Sequence, residues 1–72
     1  MSNLNERLIE LRNKNNLLQK DVAQATDLSV VGYQRYEYGT RKPTSDIIIK
    51  LCNYFNVSAD YLLGLSADPT RH

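Results

Sequence analysis

The sequence offers none of the cross-links that stabilise many small domains. Its 72 residues include a single cysteine, Cys52, which excludes an internal disulfide and a thiolate zinc cage. No glycine-rich phosphate loop, paired carboxylate site or metal-ligating motif appears either. A lone thiol is typical of a reducing cytosol, so we expect a cytoplasmic protein that folds without metal or cofactor.

Long apolar runs are also missing. The longest aliphatic run covers residues 47–49 only, whereas a bilayer span requires roughly 20 apolar residues. The polar N-terminus does not have the pattern of a signal peptide. We therefore expect no membrane role.

The chain is too short for two hydrophobic cores, so its 72 residues predict one small domain and exclude a multidomain enzyme. No catalytic constellation is visible, because His72 is terminal and Cys52 falls on the inward face of a predicted helix. We expect no enzymatic activity. An apolar share of 42% and a charged share of 24% predict a folded globule rather than a disordered chain.

The chain has almost no excess of either charge, because it contains nine Lys and Arg residues and eight Asp and Glu residues, which gives a net charge of +1. The distribution along the chain is nevertheless uneven. Residues 12–42 carry six basic and three acidic side chains, and the segments on either side are each slightly acidic. A basic middle segment is compatible with a polyanionic partner, and it is also what a solvated charged surface would show.

Apolar residues recur three and four positions apart along most of the chain, without the sustained alternation of a strand. This pattern predicts an all-α fold. Three helix starts are marked by a hydrophobic staple, in which an apolar residue before the N-cap packs against one four residues after the cap. The staples pair Leu17 with Val22, Leu28 with Tyr33, and Val57 with Leu62. With the caps and the Asn and Gly residues at helix ends, they predict five helices, at 4–15, 18–25, 29–37, 44–55 and 58–63.

The connection between the second and third helices is only residues 26–28, which holds the two helices at a fixed, open angle as in a helix-turn-helix motif. With about 100° between successive residues, the third helix has two distinct faces. Its inward face carries two tyrosines, Tyr33 and Tyr36. Its outward face carries Val30, Val31, Gln34 and Arg35. Valines that point away from a core suit contacts with thymine methyl groups in a major groove, and Arg35 can bind guanine or phosphate.

An acidic residue at the end of this helix requires an explanation, because Glu37 opposes the helix dipole unless a cation lies nearby. Arg12, at the edge of the apolar stripe of the first helix, is the candidate partner. We expect a bidentate, structural ion pair between Arg12 and Glu37.

A set of residues spread over most of the chain carries a family resemblance. The set comprises Leu17, Gln19, Val22-Ala23, Leu28-Ser29, Tyr33, Tyr36-Glu37, Gly39, Pro43 and the closing run Val57-Ser58-Ala59-Asp60-Tyr61-Leu62-Leu63-Gly64. In this combination the sequence resembles the Cro and repressor (Xre-type) helix-turn-helix family, from residue 4 to residue 65.

The resemblance implies a compact five-helix bundle of the lambda-repressor-like DNA-binding type over residues 4–65, with the motif at about 18–37 and a flexible tail at 66–72. It implies a transcriptional regulator, most simply a repressor, that binds a double-stranded DNA operator with an inverted repeat as a homodimer and inserts helix 29–37 into the major groove. It also matches Arg12 and Glu37 to a buried structural pair. The DNA-binding positions that follow are Gln19, Lys20, Ser29, Val30, Val31, Gly32, Gln34, Arg35, Tyr38, Arg41 and Lys42.

Several residues depart from the family pattern. Leu18 stands where the family usually has a capping Ser, Thr or Asn, and Asp27 stands where it favours Gly. Val30, Val31 and Gly32 replace a commonly polar trio, which leaves few groups for direct readout by hydrogen bonds. Methyl contacts, Gln34, Arg35 and DNA shape would then carry the sequence preference.

A protein-interaction module, antitoxin-like or regulator-binding, is the alternative function, with the two valines as an apolar patch for a partner protein. Tyr54 and Tyr61 lie at helical spacing beside core positions, so we expect them in the core, with Tyr38 alone free to meet a nucleic acid. For dimerisation, the C-terminal helix and its exit, around Tyr61, Leu62 and Leu65, are the expected pairing surface.

Overall fold

The computed structural model describes residues 3–71. Expectations that concern His72 lie outside the described residues. The described part of the chain contains five α-helices and no strand, which confirms the predicted fold class. In chain order these are α1 (Leu4–Lys14), α2 (Gln19–Ala25), α3 (Val30–Tyr38), α4 (Ser45–Phe55) and α5 (Ala59–Leu62).

The N-terminal caps of α2 to α5 lie where the sequence predicts them, at Leu18, Ser29, Thr44 and Ser58. Ser29, Thr44 and Ser58 each accept a hydrogen bond from a backbone N–H of the helix that follows. The side chain of Leu18 has no oxygen with which to cap α2. Instead the carboxylate of Asp21 accepts a hydrogen bond from the backbone N–H of Leu18 at 2.8 Å, which supplies the other half of a capping box.

Left-handed residues end the helices and turn the chain. Asn16 and Asn56 have φ angles of 55° and 56°, and Gly39 and Gly64 have φ angles of 75° and 80°. Asp27, in the connection between α2 and α3, has a φ of 58°. Asp tolerates this region better than most residues because its short polar side chain can bond locally, so the turn forms without the family's glycine.

The core lies between α3 and the helices around it. α3 packs on α1 and α2, while α5 packs on α4 and α1. The buried apolar set is Leu8, Leu11, Val22, Ala23, Tyr33, Tyr36, Leu51, Cys52, Val57 and Leu62. The predicted inward face of α3 is thereby confirmed, as is the burial of Cys52.

Two expectations about apolar residues are wrong. Leu62 is completely buried, because it belongs with Val57 to the core and cannot be part of a pairing surface. Tyr54 is 38% exposed rather than a core residue, and its ring meets the ring of Phe55 edge-on, with 5.2 Å between centroids. Tyr61 is half-buried, with the guanidinium of Arg7 stacked 4.0 Å from its ring centroid.

Residues 66–71 form no helix, yet they return to the bundle. The backbone N–H of Ser58 donates to the carbonyl of Pro69 at 3.0 Å, and Arg71 donates to the side chain of Asn53 at 2.7 Å. The flexibility of the tail stays a prediction. Between residues 3 and 71, no helix has the length and apolar character to cross a membrane.

Candidate nucleic-acid interface

The angle between α2 and α3 is fixed by a buried threonine in the turn. Thr26 is completely buried, and its hydroxyl donates to the carbonyl of Val22 at 2.8 Å. The backbone N–H of Leu28 donates to the carbonyl of Ala23 at 2.8 Å. These bonds satisfy the carbonyl groups at the end of α2 and leave the connection little freedom. α3 is therefore presented on the body of the domain as a rigid element.

The outward face of α3 is apolar at its N-terminal end. Val30 is 40% exposed and Val31 is 57% exposed. Arg35, one turn further along, is exposed, and Gln34 is half-buried. This arrangement agrees with the predicted division of α3 into two faces.

Gly32 allows the start of α3 to be capped closely. A side-chain carbon at this position would lie 3.0 Å from the Oγ atom of Ser29, which accepts a hydrogen bond from the backbone N–H of Gly32 at 3.0 Å. A glycine inside a helix costs about 1 kcal/mol relative to alanine. Here its lack of a side chain leaves room for the cap. The proton of the Ser29 hydroxyl is still available to a phosphate oxygen, because the hydroxyl acts only as an acceptor in the cap.

A bidentate ion pair holds the end of α3 on α1. The Nε and Nη2 atoms of Arg12 donate to the two carboxylate oxygens of Glu37 at 2.7 and 3.1 Å. Arg12 also donates to the carbonyl of Leu17 at 3.1 Å, so it links α1 to the chain that enters α2. The Glu37 side chain is 2% exposed and that of Arg12 is 17% exposed. The expected pair is thus present, with a buried carboxylate and a partly buried guanidinium.

The surroundings shift the pKa values of these groups. Hydrogen bonding to Glu37 raises the pKa of Arg12. Burial acts to raise the pKa of Glu37, but hydrogen bonds, chiefly from Arg12, outweigh it and leave that pKa below its ordinary value. Burial raises the pKa of Tyr33, and the neighbouring Glu37 carboxylate raises it further. Glu37 is therefore ionised and Tyr33 neutral at neutral pH.

Gln19 and Gln34 extend this pair towards the surface. The Nε2 atom of Gln19 donates to Glu37 at 3.2 Å, and the Nε2 atom of Gln34 donates to the Oε1 atom of Gln19 at 2.9 Å. The sequence predicts Gln19 only as a DNA contact and does not predict these two bonds. A signal was available: a carboxylate has about four acceptor sites, and a bidentate arginine fills only two of them. A buried Glu37 therefore requires a further donor.

The remaining predicted contact residues lie on the surface. Lys20 is exposed in the first turn of α2, and Tyr38 is 63% exposed at the end of α3. Arg41 and Lys42 are exposed in the loop after α3, where they border a shallow depression beside the N-terminus of α1. Leu18, at the start of α2, is 58% exposed. Within residues 3–71, no cluster of three or more His, Cys, Asp or Glu side chains could hold a metal ion.

This arrangement, a rigid two-helix unit that exposes one face of its second helix, defines the helix-turn-helix class. The model of the helix-turn-helix family matches residues 8–62, so the chain belongs to this family, of the Cro and repressor type that its sequence resembles. The curated relatives that the chain matches are named as transcriptional regulators.

Individual relatives agree with the family. The chain is 41% identical over 61 residues to the HTH-type transcriptional regulator ImmR of Bacillus subtilis, covering 85% of this chain and 48% of ImmR. It is 31% identical over 61 residues to the cryptic phage CTXphi transcriptional repressor RstR of Vibrio cholerae, covering 85% of this chain and 54% of RstR. The chain thus spans about half the length of these curated relatives.

A solved structure has the same fold. The P22 c2 repressor, crystallised in complex with a synthetic operator, superposes with a TM-score of 0.85 at 23% identity. The match covers 92% of this chain and all of the P22 chain.

Proposed function

We propose that the chain is the DNA-binding domain of a cytoplasmic transcriptional regulator, a repressor that binds an inverted-repeat operator as a dimer with α3 in the major groove. The observation that carries this proposal is the outward face of α3. It presents Val30, Val31 and Arg35 from a helix that the buried Arg12–Glu37 pair and the Thr26 turn hold rigidly. A reading helix requires this combination of exposed contact residues and fixed orientation.

The contact residues divide into two groups under this proposal. Ser29, Lys20, Tyr38, Arg41 and Lys42 offer hydroxyl or cationic groups to phosphates, which sets position and affinity without sequence preference. The outward residues of α3 read bases. We assign Gly32 a close approach of the backbone to the DNA at the start of α3, because glycine has no side chain to obstruct it.

A dimer fits the short reading helix, because one helix with few polar readers contacts only part of an operator and two-fold dimers read half-sites about 34 Å apart. Because Leu62 lies in the core, we assign the pairing surface to the exposed residues after α5. Leu65 is 72% exposed and Leu63 is 38% exposed. Sedimentation of the protein with operator DNA tests this: two chains per duplex are expected, and Leu65→Asp should reduce the complex to one. One wild-type chain per duplex at saturation would refute the dimer.

A protein-interaction module is the second candidate, and the exposed apolar residues favour it. Leu18, Val30 and Val31 are all at least 40% exposed. Such side chains could bury themselves against a partner protein instead of DNA.

Selection of bound duplexes from a random pool, followed by binding assays over a salt series, separates the two candidates. We expect enrichment of an inverted repeat, and an affinity that falls steeply with salt because cationic side chains displace counterions from phosphates. A pool without enrichment and a binding constant that salt does not change would refute the DNA-binding function.

A further inference from the structure

A chain of hydrogen bonds leads from the core to the outward face of α3. Arg12 donates to Glu37, Gln19 donates to Glu37, and Gln34 donates to Gln19, with donor–acceptor distances of 2.7 to 3.2 Å. The buried ion pair forms the inner end of the chain, and the half-buried Gln34 forms its outer end.

The chemistry of Glu37 fixes the direction of every bond in this chain. An ionised carboxylate accepts hydrogen bonds and cannot donate. Gln19 must therefore turn its Nε2 atom towards Glu37, which leaves its Oε1 atom for Gln34. Gln34 in turn must approach with its own Nε2 atom. A flip of either amide would place two oxygens against each other.

The oxygen of Gln34 is the free end of the chain. Its Oε1 atom has no hydrogen-bond partner among residues 3–71. The other outward residues of α3 offer no comparable group, because Val30 and Val31 are apolar and Arg35 only donates. Gln34 thus supplies the single side-chain acceptor among these four residues.

We propose, on the basis of the DNA-binding function proposed above, that Gln34 determines specificity by accepting a hydrogen bond from the exocyclic amine of an adenine or a cytosine. These amines are the donors that bases display in the major groove, whereas guanine and thymine display acceptors there. Gln19 is a positioning residue, which holds the amide of Gln34 in the orientation that presents oxygen. Without this restraint the amide could rotate and present either its oxygen or its nitrogen, so it could form a hydrogen bond with any of the four bases.

The test begins with bound duplexes selected from a random pool by the wild-type chain and by Gln34→Ala. At one position of each half-site the wild type should prefer adenine or cytosine to guanine or thymine by about tenfold in affinity, and Gln34→Ala should lose this preference. Replacing that base by its analogue without the amine, purine or 2-pyrimidinone, should weaken wild-type binding by a similar factor and leave Gln34→Ala binding unchanged. The analogue measurement on the wild-type chain alone needs no folded variant.

Gln19→Leu tests the positioning role. Freed from Gln19, the amide of Gln34 can rotate, so the preference at that position should shrink severalfold while the preferences at other positions remain. Gln24→Leu is the matched control, since Gln24 is exposed on α2 in a depression shared with Tyr54 of α4, and it should change nothing.

Each remaining outcome has a defined meaning. An enriched operator in which no position depends on Gln34, or in which that position prefers guanine or thymine, overturns this inference and leaves DNA binding intact. A preference that survives in Gln19→Leu overturns the positioning role. A wild-type chain that enriches no duplex overturns the proposed function and this inference together.

Discussion

Replacing Arg12 by alanine should destabilise the domain severely, because it leaves a buried carboxylate without its cation. Glu37, which is 2% exposed beside Arg12, would lose two charge-assisted hydrogen bonds and keep the hydrogen bond from Gln19. The carbonyl of Leu17 would lose its donor as well. Removing one partner of a buried ion pair costs about 3 to 5 kcal/mol. A domain of this length has a total stability of about 4 to 11 kcal/mol, so this loss removes about a quarter of the stability at the upper end of that range and all of it at the lower end.

Urea denaturation followed by circular dichroism measures this loss. Glu10→Ala is the matched control within the same helix. It breaks the pair between Arg7 and Glu10, whose closest atoms are 3.6 Å apart and whose carboxylate side chain is 56% exposed. A pair whose carboxylate is exposed to solvent contributes about 1 kcal/mol or less.

The pH dependence identifies the cause of the loss. Without Arg12, burial raises the pKa of Glu37, so protonation in mild acid should relieve the unpaired charge and reduce the difference from the wild type. A loss below about 1 kcal/mol at neutral pH, or one that does not change with pH, would contradict the assignment of the pair as a buried support of α3.

Three further predictions concern affinity, specificity and acid stability. Arg41→Ala should weaken binding to operator and scrambled DNA alike and reduce the slope of log affinity against log salt by about 1, as gel-shift titrations over a salt series would measure. Val31→Ala should leave that slope unchanged and instead lower the preference for thymine at one operator position. If Val31→Ala keeps the ratio of the affinities for operator and scrambled DNA while Arg41→Ala abolishes it, α3 does not read the bases. Because the folded pKa of Glu37 lies below its ordinary value of 4.5, its stabilising effect should be complete above that value and be lost as the pH falls through the folded pKa. Acid titrations of stability should therefore show a shallower decline for Glu37→Gln than for the wild type, and equal slopes would contradict the shifted pKa.

Local rules were sufficient for the helices and their caps. A staple such as Leu28 with Tyr33 depends on a few neighbouring residues, so Ser29 could be identified as an N-cap without knowledge of the rest of the fold. The ion pair between Arg12 and Glu37 spans 25 positions. It was still predictable, because an acidic residue at a helix C-terminus requires a cation.

Positions that depend on how helices pack were less predictable. The staple with Val57 predicts that Leu62 is buried, whereas the position of Leu62 near the end of α5 suggests a pairing surface. The structure places Leu62 in the core. Periodicity placed Tyr54 beside the core, but α4 turns it partly to solvent, because the groove between α2 and α4 is left open there. The bonds of Gln19 depend on the angle between α2 and α3, which no local pattern specifies.

Glu37 accepts hydrogen bonds from both Arg12 of α1 and Gln19, and this shared role limits how the domain can acquire a new operator. Val30, Val31 and Arg35 form no hydrogen bond or ion pair through their side chains within residues 3–71, so substitutions there can alter base preference at little cost to folding. Glu37 supports both α1 and Gln19, so a substitution there alters folding and recognition together. Operator divergence among descendants of this sequence should therefore accumulate on the outer half of α3, and the glutamic acid beneath it should change only together with its partners.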